Sequence, residues 1–164
     1  MKMLARSATG LLLAALCLPL SAFAADTQPT EEFTLANGLK VVVRQDHRAP
    51  VVVSQVWYKV GSSYETPGNT GLSHALEHMM FKGSAKLKPG EASLVLRELG
   101  AEENAFTSDD YTAYYQVLAR DRLPVAFELE ADRMASLRLP PEEFRSEIEV
   151  IKEERRMRTD DKPG

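Results

Sequence analysis

VVVSQVWYKV at residues 51–60, a loop rich in Gly and Ser at 61–71, and LSHALEHMMF at 72–81 follow one another along the chain. The first segment is β-branched and aromatic, which predicts a long strand. The second carries the turn residues that stop it, and the third spaces its apolar residues as one face of a helix. Upstream, segments 34–35 and 39–44 flank Ala36-Asn37-Gly38, and Asn-Gly between β-rich runs predicts a hairpin. Downstream, Pro89-Gly90-Glu91 opens a helix over 92–99 that Gly100 closes. Segments 104–107 and 111–118, parted by Ser108-Asp109-Asp110, predict a second hairpin. Two further helices are predicted over 121–137 and 141–158. Hairpin strands with helices interspersed give an α+β fold in one compact unit: an antiparallel sheet covered by helices on one face.

Composition narrows the function. The 164 residues are 44% apolar and 27% charged, ordinary for a folded soluble domain. A net charge of −4 offers no basic footprint for a phosphate backbone, so no nucleic-acid partner is expected. Cys17 is the one cysteine, which excludes a disulfide framework and a thiolate metal site. A metal here must be held by His and carboxylates.

The N-terminus predicts export. Lys2 and Arg6 precede the apolar run 11–20, and Ala22-Phe23-Ala24 fits the small-x-small cleavage pattern. Residues 1–24 are therefore expected to be a signal peptide and 25–164 the domain proper, periplasmic or secreted. The run is shorter than the roughly 20 apolar residues of a membrane span and carries Pro19 near its end.

The chemistry concentrates in His74-Ala75-Leu76-Glu77-His78. At 100° per residue, positions 74, 77 and 78 share one stripe of a helix, so two imidazoles and a carboxylate project together. Two His one turn apart can share a zinc ion, and the Glu between them is placed to take a proton from water, in the H-x-x-E-H order. The plainer alternative is two histidines on an ordinary amphipathic helix. Catalytic zinc takes a third protein ligand. Glu147 and Glu154, two turns apart on one face of the last helix, are both eligible, and periodicity does not choose between them. Glu149 and Glu153 point elsewhere and read as solvated charge. His47 reads as a loop residue, and Phe81 and Tyr114 as core.

Gly71-Leu72-Ser73-His74-Ala75-Leu76-Glu77-His78-Met79-Met80-Phe81-Lys82-Gly83, then Asn104-Ala105-Phe106-Thr107-Ser108, then Glu147-x-x-Val150-Ile151-x-Glu153-Glu154, resembles the pitrilysin (insulinase, mitochondrial processing peptidase) family of zinc peptidases. The resemblance runs over about 33–158. It implies one Zn2+ held by His74, His78 and Glu154, with Glu77 as general base and Glu147 supporting a ligand from behind. It implies that Asn104, Ala105, Phe106 and Thr107 form an edge strand pairing with an extended peptide or unfolded protein segment.

The resemblance also implies a second homologous domain or partner subunit that completes the active site. A chain stopping at Lys162-Pro163-Gly164 is therefore expected to be the first domain, incomplete at its C-terminus. The expected function is an exported zinc-dependent endopeptidase. The alternatives are a non-catalytic structural subunit and a small-molecule lyase on the same fold; the four site residues speak against the first, the leader and the downstream Glu block against the second. Manganese or cobalt could occupy the same ligands.

Overall fold

The computed structural model describes residues 29–161, without the side chains of Thr159 and Asp160. The predicted signal peptide, residues 1–24, lies outside the described residues. The sequence reads as one unit, but the described chain divides into two compact units between Asp46 and His47. The division falls in the polar connector that ends at Pro50. Among the described residues no helix is long and apolar enough to cross a membrane.

The first unit holds the predicted hairpin. Strands β1 (Thr30–Thr34) and β2 (Lys40–Arg44) pair antiparallel from Thr30 opposite Arg44 to Thr34 opposite Lys40. The turn is closed by Leu35 N–H donating to Leu39 O at 2.9 Å and by Leu39 N–H donating to Asn37 Oδ1 at 3.1 Å. It is a longer turn than a two-residue loop, so β1 ends and β2 begins one residue further from the turn than composition places them, while β1 starts four residues earlier, at Thr30, and β2 ends at Arg44 as expected.

The second unit is a three-stranded antiparallel sheet of order β3-β5-β4, from β3 (Val51–Tyr58), β4 (Glu102–Thr107) and β5 (Thr112–Ala119). The predicted hairpin forms, with Asn104 opposite Tyr115 and Thr107 opposite Thr112. β5 is central: Trp57, Ala113 and Phe106 lie in one row across the sheet. Period-2 alternation sends Ser54, Thr112, Tyr114, Gln116 and Leu118 to a buried face, while Val51, Val53, Trp57 and Phe106 are exposed on the other. Helices α1 (Leu72–Met79), α2 (Glu91–Glu98) and α3 (Leu123–Ser136) pack against this sheet, and α4 (Pro141–Arg155) packs against α1. The expected architecture, helices over one face of an antiparallel sheet, is the one observed.

Between sheet and helices the core combines apolar side chains with a satisfied charge. Leu96 and Leu118 are fully buried, each contributing about 1.5–3 kcal/mol by leaving water. The Arg133 guanidinium pairs with the buried Glu130 carboxylate and lies 4.9 and 5.3 Å from the ring centres of Tyr114 and Phe81. Gln116 Nε2 donates to the same carboxylate at 2.5 Å.

The helix limits differ from expectation at defined points. Pro124 has no N–H and suits only a first turn, so α3 starts at Leu123 and Arg120–Arg122 form a tighter 3-10 turn before it. The last helix is α-helical only to Arg155 and widens into a π turn over Arg156–Asp160.

Candidate metal centre

The site begins with how α1 starts. Gly71 precedes the helix at φ 87°, a left-handed conformation suited to glycine, and supplies no capping side chain. Glu65, six residues earlier in the loop, does the capping: its two carboxylate oxygens accept from Gly71 N–H and Ser73 N–H, each at 2.7 Å. Those backbone donors, Ser73 first and Gly71 next, hold the Glu65 carboxyl below the ordinary glutamate range. The loop is itself fastened to the β4–β5 turn. Ser62 Oγ donates to Asp109 Oδ1 at 2.7 Å and Ser63 Oγ to Asp110 Oδ1 at 2.7 Å. Gly61 permits this approach, since a Cβ there would sit 2.3 Å from Ser108 O.

On α1 so placed, His74 and His78 present their Nε2 atoms 3.2 Å apart. Glu154 arrives from α4, with Oε2 3.4 Å from His74 Nε2 and Oε1 3.7 Å from His78 Nε2. Periodicity left Glu147 and Glu154 open; the packing of α4 on α1 separates them. Glu154 joins the two Nε2 atoms, whereas Glu147 lies behind His78, with Oε2 2.9 Å from Nδ1. Glu147 is 8% exposed. Burial, the largest influence, pushes its carboxyl up, but hydrogen bonds from Lys82 and then His78, with their charges, hold it below the ordinary value. Glu147 is therefore ionised at neutral pH and can only accept. The proton of a neutral His78 then sits on Nδ1, leaving its Nε2 lone pair pointed at the cluster.

These donors fit a zinc ion. Nitrogen and oxygen ligands about 2.0–2.1 Å from a tetrahedral centre lie about 3.3 Å from one another. The two Nε2 atoms are 3.2 Å apart, each has one Glu154 oxygen at 3.4 or 3.7 Å, and one ligand atom from each of the three residues lies within 4.8 Å of the others, a spacing that a single ion can draw together. Glu154 Oε2 is buried and accepts no hydrogen bond, with the Arg158 guanidinium 3.2 Å away as an ion-pair neighbour.

The remaining predicted residues are close by. Glu77 lies on the same helix face, and its Oε2 accepts from Thr107 Oγ1 at 2.5 Å. Thr107 Oγ1 is also 3.2 Å from Thr112 Oγ1, which donates to Val60 O at 2.9 Å. A cleft of about 620 Å³ runs past His74, Glu77, His78 and Glu154 to residues 104–109. Asn104, Ala105, Phe106 and Thr107 line it from β4, whose outer edge pairs with no strand among the described residues. Glu149 and Glu153 pair with Lys152 and Arg156 at 2.7 and 2.8 Å, in solvent as expected. His47 lies in the connector between β2 and β3. Phe81 reaches the cleft wall, while Tyr114 is core, its hydroxyl pushed up by burial and then by the Glu77 charge.

Sequence reasoning missed three contributors: Glu65, Lys82 and the Thr107 hydroxyl. Lys82 stands four residues after His78, which marks it as a neighbour on one helix face, but its partner Glu147 is 65 residues away.

Fold and site together define a domain of the zincin type with the inverted H-x-x-E-H order. The sequence pattern of the insulinase family (peptidase family M16) matches residues 40–163, and the chain belongs to that family. It is 43% identical over 134 residues to the zinc protease PqqE of Helicobacter pylori, covering 81% of this chain and 30% of that one. It is 38% identical over 124 residues to the human cytochrome b-c1 complex subunit 1, covering 74% of this chain and 25% of that one. A crystal structure of a protease from Helicobacter pylori superposes with a TM-score of 0.79 at 41% identity, covering 83% of this chain and 33% of that one. The chain thus spans a quarter to a third of the length of these relatives.

Proposed function

We propose that this chain is the catalytic first domain of an exported zinc-dependent endopeptidase. The observation that carries the reading is the convergence of His74 Nε2, His78 Nε2 and a Glu154 oxygen, with Glu77 on the same helix face and opening on the same cleft. His74, His78 and Glu154 hold the ion. Zinc, when bound, supplies Lewis-acid chemistry: it polarises a carbonyl and acidifies water beside it. Glu77 is the general base. It takes a proton from the attacking water as the oxygen bonds to the scissile carbonyl carbon, then gives that proton to the amine nitrogen as the C–N bond breaks. Thr107 steadies one oxygen of Glu77 and leaves the other for the proton. Glu147 keeps His78 in the tautomer that binds metal.

The open edge of β4 takes the substrate. With no strand on its outer edge among the described residues, β4 suits an extended peptide or an unfolded segment, which adds as a further strand beside Asn104 to Thr107 and takes over the Ala105 N–H that now donates to Asn104 Oδ1 at 2.8 Å. A second homologous domain or a partner subunit closes the cleft from the other side. Export rests on the leader-like residues 1–24.

A structural subunit is the other reading, favoured by the likeness to a respiratory-complex subunit. The full set of His74, Glu77, His78 and Glu154 favours the enzyme, because a scaffold has no use for a metal triangle with a base beside it. Peptide cleavage decides between them. Cleavage of an unstructured peptide should stop with a chelator, return with zinc, and be lost in Glu77→Gln while zinc stays bound. A zinc-loaded Glu77→Gln chain that cleaves as well as the wild type would contradict the assignment of the base. A zinc-loaded chain inert with its second half supplied would contradict the enzyme.

A further inference from the structure

We infer that Lys82 is a positioning residue for the metal centre, because it clamps the free oxygen of Glu147 and so fixes both the His78 ring and the register of α4 against α1. The chain continues in a helical turn past Met79, with Phe81 N–H donating to His78 O at 3.2 Å and Lys82 N–H to Met79 O at 3.0 Å. Lys82 consequently follows His78 by one turn, and both side chains reach the same carboxylate on α4. His78 Nδ1 meets Glu147 Oε2 at 2.9 Å, and Lys82 Nζ meets Glu147 Oε1 at 2.6 Å. Glu143, one turn earlier on α4, has Oε2 3.9 Å from the same ammonium.

Two consequences follow from this clamp. With one donor on each oxygen, the plane of the Glu147 carboxylate is set, and the imidazole bonded to it is held by a group that is itself held. Partners behind a ligand of this kind commonly change metal affinity by 10–100-fold when removed. The second consequence is longer in range. Glu154 lies two turns along α4 from Glu147, on the same face. Fastening Glu147 to the end of α1 therefore fixes how far the Glu154 oxygens lie from both Nε2 atoms.

A surface lysine pair would do neither, since exposed ion pairs give up their geometry to solvent. Here the side chains are 25% and 11% exposed. The inference rests on the proposed zinc site, and the test keeps the two apart. Zinc affinity of the full chain is measured by competition with a chromophoric chelator for wild type, Lys82→Met, Lys82→Arg, Glu147→Gln and the double variant Lys82→Met/Glu147→Gln. Circular dichroism checks folding. The cobalt-substituted forms report ligand geometry through their visible spectra.

Lys82→Met should bind zinc 10–100-fold more weakly, with a changed cobalt spectrum and an unchanged fold, and Lys82→Arg should recover most of the affinity. The double variant should bind no more weakly than Glu147→Gln alone, because Lys82 acts through Glu147. If Lys82→Met does not fold, Lys82→Ala, which also removes the donor, serves in its place. Wild-type affinity in the folded Lys82 variant, or full additivity in the double variant, would overturn the inference while leaving the zinc site standing. A folded wild-type chain that binds no zinc would overturn the zinc reading itself.

Discussion

Glu65→Ala tests whether a loop carboxylate, and not a capping residue at the helix terminus, starts the helix that carries the metal site. Helix α1 has eight residues, and Gly71 before it contributes no side-chain cap. Glu65 meets two of the first backbone donors at 2.7 Å each and sets a negative charge beside the positive end of the helix. Losing a cap costs roughly 0.5–2 kcal/mol, and losing the charge roughly 0.3–1 kcal/mol at an exposed terminus. The two overlap, so about 1–2 kcal/mol is expected, or a fall of about 3–8 °C in Tm for a domain of this size.

The pH dependence follows from the same carboxylate. Its folded value lies below the ordinary glutamate value of 4.5. Its stabilisation is therefore complete above that value and is lost as pH falls through the lower folded one. Thermal melts of wild type and Glu65→Ala should differ fully at pH 7 and converge in acid, with Glu65→Gln between them. Equal Tm at pH 7, or a difference that persists unchanged well below the folded value, would refute the capping argument.

Thr107→Val removes the hydroxyl that holds Glu77. A hydrogen bond to a charged group contributes about 1.5–3 kcal/mol, so kcat for peptide cleavage should fall about 10–100-fold with zinc content and KM little changed, and Thr107→Ser should restore it; an unchanged kcat would remove Thr107 from the site. Gly61→Ala drives a methyl against backbone oxygens of Ser108 and Asp109 at 2.3 and 2.5 Å. Urea denaturation should show a loss of about 1–3 kcal/mol, and a loss below about 0.5 kcal/mol would show that the loop is not held to the hairpin.

What the sequence discloses follows the range of each interaction. The stripe His74, Glu77, His78 is legible because a helix of 3.6 residues per turn fixes it locally. The β4–β5 hairpin is legible from composition and the short turn between its strands. The choice between Glu147 and Glu154 is different in kind. Both lie on one face of α4, and only the packing of α4 on α1 sends one to the Nε2 atoms and the other to Nδ1. The family resemblance supplied what periodicity could not. The central place of β5 depends on its pairing with β3 across the intervening α1 and α2, which no local pattern announces. Glu65 and Lys82 look like ordinary surface charges in sequence; their roles come from partners that folding alone brings near.

The most direct test of the account is the zinc stoichiometry of the purified chain beside Glu154→Gln and Glu153→Gln. The two glutamates are neighbours in sequence, but Glu154 faces the imidazoles and Glu153 pairs with Arg156 in solvent. One zinc per chain, held by wild type and Glu153→Gln and lost or greatly weakened in Glu154→Gln, is the predicted result. A folded chain that takes up no zinc, or that binds it equally well in Glu154→Gln, would contradict the three-ligand centre.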